Sequence, residues 1–598
     1  MSTKGKISIN AQNIMPIIKK WLYSDKDIFM RELVSNASDA ITKHSRLVQF
    51  GTAKDAEAAY EILVKIDKEG KKLTFEDNGI GMTAEELERY INQVAFSGAE
   101  EFLKKYEGAG EGSQIIGHFG LGFYSAFMVA KRVTIDTLSW QEGAAPVKWV
   151  SKDGMEFEMS AGSRESRGTT ITLDLAEDSE EFISSYTTEG ILKKYCAFLS
   201  TPLKLISEGE EPKQINETAP LWLKRPQECT EEEYRAFYKS TFNDYNEPLF
   251  WVHLNADHPF NLKGILYFPH YHEGLGSMEG QVKMFCGQVF VADNVKEVIP
   301  EFLLLLRGVI DCPDLPLNVS RSFLQNDDYV RKLSAYITRK VADKLISIFE
   351  NDREKYNGYW SDINPFVKYG CMKDAKFFEK VKKAILIQTA QGESLSLEEL
   401  SAKAADEDKT IYYANDAKRQ TAAIKLYTQK GYTVALFVNV IDLNFISFLE
   451  YSDTGLKFKR IDSDTAAIKS DEAVELDLER LTALFRKAEG NNDLKVSAES
   501  FEDKSVHAMM IYDEQMRRFK EMSRFYGESM QLPEEKSLLL NSNSPLIKWL
   551  DTCQDEAKTE LICNQVVDLA DLMIQPLSDE RMAEFIERSS KILDILAE

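Results

Sequence analysis

"IIGHFGLGFYSAFMVA", residues 115–130, places three glycines within six positions and then continues into an apolar and aromatic stretch. The glycines are Gly117, Gly120 and Gly122. A glycine-rich loop that leads into a helix is typical of a phosphate site, because backbone N–H groups and the positive end of the helix dipole face the ligand. The spacing matches neither the P-loop, which needs Gly-Lys-Ser/Thr, nor the dinucleotide pattern G-x-G-x-x-G. The stretch therefore indicates a nucleotide site of another kind.

A polar helix face precedes this loop in "IFMRELVSNASDAITKH", residues 28–44. Glu32, Asn36, Asp39 and Lys43 follow one another at helical spacing and line this face. Ser, Asn and Asp compete for backbone hydrogen bonds and weaken helix interiors, so a merely solvated face would use Glu and Lys instead. A carboxylate one turn from a carboxamide can activate a water and hold a metal-bound phosphate. Taken alone, the segment leaves a solvated face and a functional face equally open.

A second polar position follows in "FEDNGIGMT", residues 75–83. Asp77 ends a predicted strand, and Gly79 and Gly81 allow the backbone to approach a flat ligand closely. A tight turn after a strand would explain Asp-Asn-Gly alone. An acidic side chain at a strand end can also accept a hydrogen bond from the exocyclic amine of a base, and this is the functional alternative.

Composition limits the classes of protein that the chain can represent. Its 598 residues suffice for several domains, and no apolar run reaches the roughly 18 residues of a membrane span. The seven cysteines are scattered without a C-x-x-C pair, which argues against a zinc ribbon or a disulfide framework and fits a reducing cytoplasm. A formal net charge of −24 without a basic block argues against nucleic-acid binding. We therefore expect a cytoplasmic protein with no membrane span.

Two polar, acidic stretches, 207–220 and 451–473, divide the chain. These stretches predict domains at 1–212, 216–460 and 475–598. The order of predicted strands and helices within the domains indicates an α+β multidomain protein. The first domain should be an antiparallel sheet covered on one face by helices, the second mixed α/β and the third mostly helical.

Periodicity places several elements. "EILVKID" (61–67) and "KLTFEDNG" (72–79) predict a β-hairpin, and Thr83 with Glu86 predicts a capping box for the next helix. Residues 410–438 predict a βαβ unit. The last segment predicts an amphipathic helix suited to dimerisation, with the stripe Met582, Phe585, Ile586, Ser589, Ile592, Leu593 and Leu596.

The ordered set of a Glu/Asn helix, D-x-G-x-G, a glycine-rich loop and "RGTTITL" (167–173) resembles the Bergerat-type ATPase fold, an α/β sandwich. Gyrase-type topoisomerases, mismatch-repair proteins, sensor histidine kinases and ninety-kilodalton heat-shock chaperones share this fold. The sequence is similar to that of the chaperones in "MRELVSNASDA", in "GHFGLGFYSAFMVA" and in segments 216–240, 285–325 and 538–550. A long charged linker and an acidic Met-Glu-Glu-Val-Asp tail are both lacking, which points to the bacterial branch of high-temperature protein G type.

This resemblance implies roles for individual positions. Glu32 would be the general base, Asn36 would hold Mg²⁺ with the ATP phosphates, and Asp77 would bind adenine. From the second domain, Arg321 would reach the γ-phosphate, and Gln325 would stand one helical turn further on in the catalytic set. The other implied ATP contacts are Asp39, Gly79, Gly81, Met82, Asn92, Gly117, Phe119, Gly120, Gly122, Phe123 and Thr169.

The resemblance also implies an activity and partners. The protein would be a homodimeric, ATP-driven molecular chaperone of the heat-shock response that remodels partly folded clients, with cochaperones as further partners. Its hydrolysis would be slow and gated by a conformational change. A DNA-acting ATPase would need a basic block, which is absent, and a sensor kinase would need a phospho-accepting His before the Glu32 helix, where the sequence has none. A scaffold whose ATP site is inactive is the third alternative, which measurable turnover lost on removal of Glu32 would exclude.

The sequence departs from the family pattern at the start of the expected lid. "INQVAFSGAEEF" (91–102) is shorter than the family segment. Phe96 stands where the family has a phosphate-contacting lysine, Gln93 where it has a threonine, and His118 where it has a glutamine. No lysine contact to phosphate is therefore expected here.

Overall fold

The computed structural model describes residues 25–54, 59–93, 96, 115–117, 120–270, 280–296, 298–304, 306–315, 328–404, 409–452, 454–463, 469–470, 474–512, 536–574 and 576–597. The chain forms two compact units, Met1–Val341 and Ala342–Glu598. The finer division into three domains at 1–212, 216–460 and 475–598 stays a prediction.

The first sheet arises from strands in which apolar and polar residues alternate. Its strands are β1 (Ile62–Asp67), β2 (Lys72–Asp77), β3 (Ala130–Leu138), β4 (Val147–Ser151), β5 (Phe157–Ala161), β6 (Gly168–Leu175), β7 (Leu203–Ser207) and β8 (Lys213–Gln214). They pair in the order β5-β4-β3-β6-β2-β1-β7-β8. The predicted hairpin of β1 and β2 is confirmed, with Ile62 opposite Asp77.

The prediction of a wholly antiparallel first sheet is wrong. β1 pairs with β7 in parallel, with Ile62 opposite Leu203. The physical reason is the helix that carries the chain between β6 and β7, since parallel strands are joined through a crossover and not through a tight turn.

Helix α1 (Ile28–Gln49) packs on this sheet as predicted, and α2 (Ala84–Tyr90) and α3 (Ser185–Cys196) contribute Leu87 and Leu192 to the same apolar core. The apolar side of α1 is buried, and the Phe29 ring makes edge contacts with Phe75 at 6.2 Å and with Phe182 at 5.1 Å between centroids. The capping box of α2 is confirmed: the Thr83 N–H donates to the Glu86 carboxylate at 2.8 Å, and the Glu86 N–H donates to the Thr83 hydroxyl at 3.3 Å.

A second sheet completes the first unit. After helix α4 (Glu231–Phe242), its strands are β9 (Phe250–Ala256), β10 (Leu262–Phe268), β11 (Gln281–Cys286), β12 (Val289–Asp293) and β13 (Arg307–Asp311). The two sheets share one apolar core. Trp222, which is fully buried, contacts the rings of Phe198 at 4.6 Å and Phe285 at 5.6 Å. Helix α5 (Asp328–Asn351) then leads into the second unit.

The second unit contains two further sheets and most of the remaining helices. The helices are α6 (Arg353–Lys373), α7 (Ala375–Val381), α8 (Leu397–Ala402), α9 (Thr421–Gln429), α10 (Asp442–Tyr451), α11 (Leu478–Glu489), α12 (Pro545–Thr552), α13 (Glu556–Leu572) and α14 (Asp579–Ala597). The strands are β14 (Leu386–Thr389), β15 (Ser394–Ser396), β16 (Thr410–Ala414), β17 (Val434–Leu436), β18 (Lys457–Arg460), β19 (Lys495–Glu499), β20 (Ala508–Tyr512) and β21 (Lys536–Asn541).

Two sequence predictions bear on this unit. The βαβ unit is confirmed, because β16 and β17 are parallel and α9 joins them. The region after residue 475 is helical as predicted, and it also contains a three-stranded sheet in the order β19-β21-β20, which the sequence analysis missed.

The terminal helix α14 is attached mainly by charge. None of its residues is buried. Arg581 donates to both oxygens of Glu489 at 2.7 Å and also pairs with Asp568, which Arg588 contacts as well. The predicted stripe is divided, since Met582, Phe585, Ser589 and Ile592 are half-buried while Ile586, Leu593 and Leu596 are exposed.

Among the described residues, no helix is long and apolar enough to cross a membrane.

Candidate functional site

The polar face of α1 lies in the interior of the first unit and not in solvent. Glu32 and Asp39 are buried, and Asn36 is half-buried. Arg31, which is itself 2% exposed, donates from Nε and Nη2 to Oε1 of Glu32 at 3.0 and 2.8 Å. Burial of a carboxylate is costly unless it is paired, so Arg31 keeps Glu32 in place. The sequence pattern alone predicts no role for Arg31, because neighbours in a helix do not normally face one another.

Asp39 joins α1 to the beginning of the glycine-rich loop. Its two carboxylate oxygens accept the N–H groups of Ile116 and Gly117, each at 2.8 Å. Lys43, one turn further along α1, has its pKa lowered by burial, although Asp39 and Glu86 oppose this shift. The predicted polar face thus places the Asp39 and Lys43 side chains one turn apart, with Asp39 bonded to the glycine-rich loop.

The glycine-rich loop passes directly against Glu32. A Cβ added to Gly122 would stand 2.4 Å from Oε2 of Glu32, so a larger residue here would displace the Glu32 carboxylate. The segment that follows, Gly122–Met128, is helical as predicted and takes the 3₁₀ form. It is short because β3 begins at Ala130, and the Ser125 hydroxyl bonds back to the Gly122 carbonyl at 2.6 Å.

Asp77 lies at the end of β2, as predicted, and is 6% exposed. Its Oδ1 accepts the N–H of Gly79 at 2.8 Å. Burial raises the pKa of Asp77 to about 7, against the opposing effects of the Gly79 N–H, Arg164 and the Thr169 N–H. Gly81 has a φ of +64°, and a Cβ there would stand 1.9 Å from the carbonyl oxygen of Leu138.

A chain of hydroxyl groups extends from this strand end across the sheet. The Thr137 and Thr169 hydroxyls are 3.0 Å apart, and Oγ1 of Thr137 also accepts the Met82 N–H at 3.0 Å. Thr169 is opposite Asp77 in the register of β6 and β2. Thr137 connects the two predicted residues Met82 and Thr169, but its position inside β3 gave no sequence signal.

Trp149, Phe123 and the Asn92 amide form a contact group in the first unit. Trp149 donates from Nε1 to Oδ1 of Asn92 at 2.9 Å, and its ring makes an edge contact with Phe123 at 5.9 Å. The Nδ2 group of Asn92 is buried and has no partner among the described residues. A buried amide donor left open beside an apolar wall fits a ligand with polar acceptors, such as a nucleotide. Trp149 was missed because a tryptophan in a strand usually indicates only core packing.

The structure also bears on the unusual start of the lid. The Phe96 ring stacks on Tyr90 of α2 at 6.0 Å, and the Arg89 guanidinium lies 5.0 Å from the centre of the Phe96 ring. Phe96 therefore packs against α2. A Cβ on Gly120 would stand 2.4 Å from the Phe96 carbonyl oxygen, so Gly120 meets the backbone of this segment.

Four of the residues named from the sequence lie outside the described residues: His118, Phe119, Arg321 and Gln325. The other predicted catalytic and ATP-binding residues, apart from Asn92 and Phe123, fall into two groups. Asp77, Gly79, Gly81, Met82 and Thr169 belong to the strand ends, and Glu32, Asn36, Asp39, Gly117, Gly120 and Gly122 belong to α1 and the loop. Gly79 joins the groups, because a Cβ there would stand 2.6 Å from the backbone of Ala40 in α1.

Comparison with known proteins gives two family matches. The family described as Hsp90 protein matches residues 200–576, and the family described as histidine kinase-, DNA gyrase B-, and HSP90-like ATPase matches residues 28–171.

Individual relatives match over nearly the whole chain. The chaperone protein HtpG of Porphyromonas gingivalis strain W83 is 41% identical over 579 residues, which cover 92% of this chain and 84% of that protein. The chaperone protein HtpG of Bacteroides thetaiotaomicron is 41% identical over 577 residues, covering 91% and 84%. The mitochondrial TNF receptor-associated protein 1 homolog of Dictyostelium discoideum is 28% identical over 619 residues, covering 100% and 86%.

Proposed function

This chain belongs to the Hsp90 family, and from this premise we propose how its residues bind and hydrolyse ATP. It is an ATP-dependent molecular chaperone of the HtpG type with an HSP90-like ATPase domain. The Hsp90 match over residues 200–576 removes the alternatives of a DNA-acting ATPase and a sensor kinase. The observation that carries the site proposal is that Asp39 ties the catalytic helix to the glycine-rich loop, while Gly79 ties it to the strand end that bears Asp77.

The adenine end of the site is the strand-end group. Asp77, in its ionised form, accepts a hydrogen bond from the exocyclic amine of adenine. The Thr169 hydroxyl, which is hydrogen-bonded to the Thr137 hydroxyl, bonds the same end of the base. Gly81 and Met82 form the wall beside the base, and Phe123 with Trp149 forms the apolar side. The buried Nδ2 of Asn92 donates to the nucleotide, which satisfies the amide.

The phosphate end of the site is α1 and the loop. The backbone N–H groups around Gly120 and Gly122 bind the phosphate oxygens, as at other glycine-rich loops. Among the described residues, no group of three or more His, Cys, Asp or Glu side chains could hold a metal ion. Mg²⁺ would therefore be held by the Asn36 amide oxygen, the phosphates and water, a set that this hard cation accepts. When bound, it neutralises part of the phosphate charge.

Hydrolysis depends on Glu32. Its Oε1 is held by Arg31, and its Oε2 lies on the side of Gly122 and the loop. We assign Glu32 as the general base that takes a proton from the attacking water. Arg321, which lies outside the described residues, is assigned to the γ-phosphate, where a cation stabilises charge that develops in the transition state. Gln325 is assigned to the same set.

Client binding and dimerisation belong to the family function. We propose a homodimer with partly folded proteins as clients, cochaperones as further partners, and a location in the cytoplasm. All seven cysteines are free thiols, which fits a reducing compartment.

The experiment that tests this function measures aggregation of a heat-denatured client protein. The wild-type protein with ATP should suppress aggregation and release the client in a form that refolds. The Glu32→Gln variant should hold the client without completing this cycle. Equal refolding yields with and without ATP would contradict the proposed coupling.

Nucleotide affinity is expected to fall about tenfold between pH 8 and pH 6. Burial raises the pKa of Asp77 to about 7, and the carboxylate is the form that accepts the adenine amine. The ionised fraction drops from about nine-tenths at pH 8 to about one-tenth at pH 6, so binding weakens as the pH falls through 7. Calorimetry with ADP in excess Mg²⁺, which keeps the phosphates ionised, measures this. Equal dissociation constants at the two pH values would contradict the role of Asp77.

The dimer contact is assigned to α14. Ile586, Leu593 and Leu596 are between 59% and 77% exposed, although they lie on the predicted apolar stripe. The helix is fixed to its own unit by the Arg581 and Arg588 ion pairs, so its exposed apolar residues are presented on a firmly held helix. A second copy of the same helix provides a complementary apolar surface.

Leu593→Glu is expected to convert most of the dimer to monomer, because it places a charge in the proposed apolar contact. Lys591→Gln is the matched control, since it changes the net charge by the same amount on the charged side of α14. Sedimentation velocity distinguishes the two states. A Leu593→Glu protein that stays dimeric at the same concentration would place the contact elsewhere. Deleting residues 475–598 is a poorer test, because the core of the second unit extends from Tyr412 to Ile574.

A further inference from the structure

The Arg31–Glu32 pair is backed by an aromatic ring from another helix. Tyr195 of α3 is 4% exposed, and the guanidinium carbon of Arg31 lies 5.6 Å from the centre of its ring. A guanidinium over a buried aromatic face is attracted by the ring electrons. Arg31 is therefore held between the Tyr195 ring and the Oε1 atom of Glu32.

Tyr195 is itself fixed at its hydroxyl end. Its hydroxyl donates to Oδ1 of Asp27 at 2.9 Å, just before the first residue of α1, and Lys194 donates to Oδ2 of the same carboxylate at 2.9 Å. Burial raises the pKa of Tyr195 to about 12, so the phenol stays neutral and remains a donor. These contacts hold the ring at a defined position relative to α1.

The ring also contacts the second sheet. Phe290 of β12 lies 6.1 Å from Tyr195 between ring centroids, with the planes at 50°. A continuous series of contacts thus extends from β12 through Phe290, Tyr195 and Arg31 to the carboxylate of Glu32. A displacement of β12 relative to α1 would move the ring, and the guanidinium that rests on it.

We propose that Tyr195 is a positioning residue for ATP hydrolysis, which acts through Arg31 to orient Glu32 and makes this orientation depend on the second sheet. The inference rests on the proposed role of Glu32 as the base. Arg31 donates both Nε and Nη2 to one oxygen of Glu32, so a tilt of the guanidinium carries that oxygen with it. A small displacement of a catalytic group is enough to lower a rate substantially.

The test compares substitutions in the full chain. Tyr195→Leu removes the ring, and is expected to lower kcat about three- to tenfold while the dissociation constant of ATP stays within about twofold. Tyr195→Phe keeps the ring but loses the hydroxyl, and is expected to retain at least half of the wild-type kcat. A parallel loss of kcat and ATP affinity, or a Tyr195→Phe variant as slow as Tyr195→Leu, would overturn the proposal.

A double-mutant cycle then asks whether Tyr195 acts through Arg31. Because the ring works on the guanidinium, Tyr195→Leu should lower kcat no further in an Arg31→Ala background, whereas independent effects would multiply. Multiplicative losses would overturn the inference. Phe290→Leu provides a second variant if Tyr195→Leu does not fold, and it should reduce kcat in the same direction with ATP affinity retained. Wild-type kcat in Phe290→Leu would overturn the link to β12.

The Glu32→Gln protein distinguishes the role of Glu32 as the base from the positioning role of Tyr195. If Glu32→Gln hydrolyses ATP at the wild-type rate, the proposed base is wrong, and the inference fails with it. If Glu32→Gln is inactive while Tyr195→Leu turns over normally, the base stands and the positioning role alone is refuted.

Discussion

Glu32→Gln is expected to lower ATP hydrolysis about 10²- to 10⁴-fold while ATP remains bound, because a general base contributes about this much to a rate. The amide keeps the volume of the side chain and an oxygen that can accept from Arg31, but it cannot take a proton from water. Glu32→Ala should also abolish turnover. It would in addition leave the Arg31 guanidinium buried without this partner, which costs about 3–5 kcal/mol of stability, so glutamine gives the cleaner comparison.

The measurements are steady-state turnover and calorimetric affinity for ATP in the same preparation. Glu189→Gln serves as the matched control, because Glu189 is a half-buried carboxylate of α3 that pairs with Lys193 and Lys213 and not with the loop. It should hydrolyse ATP at nearly the wild-type rate. A Glu32→Gln protein with normal turnover would show that Glu32 is not the base.

Asp77→Asn is expected to reduce nucleotide affinity at least about 30-fold at pH 8. Loss of a charged hydrogen-bond partner in a buried site costs about 2–5 kcal/mol, and each 1.4 kcal/mol is about a factor of ten in affinity. The Asn oxygen can still accept the Gly79 N–H at the position that Oδ1 occupies. Its NH₂ group would then be turned toward the adenine amine, so two donors would face each other.

The matched control for this variant is Asp67→Asn. Asp67 ends the partner strand β1, and its carboxylate also accepts a backbone N–H, that of Gly70, at 2.7 Å. Its substitution should leave the dissociation constant of ADP unchanged. Unaltered ADP binding by Asp77→Asn would remove Asp77 from the adenine site.

Local patterns of sequence predicted much of the fold and named candidate residues for the site. The alternation in residues 61–79 and the spacing of Thr83 and Glu86 each act within one turn or hairpin, and both predictions are confirmed. The helix after the glycine-rich loop is also confirmed, since Gly122–Met128 is helical. Its 3₁₀ form was not readable from the chain, because 3₁₀- and α-helices accept the same residues and differ in whether each N–H bonds three or four residues back.

The sequence by itself therefore determined the kind of chemistry to expect and the candidate residues for it: Glu32, Asn36 and Asp39 on one helical face, and Asp77 at a strand end. Only the tertiary structure decided their partners. Arg31 is adjacent to Glu32 in sequence, but its contact with the Tyr195 ring was not readable from the chain, and the contacts of Thr137 and Trp149 come from segments that meet only in the fold. The parallel pairing of β1 with β7 was decided in the same way. The physical reason is that periodicity records which side of an element is buried, whereas the identity of the group that fills that side depends on segments brought together only by folding.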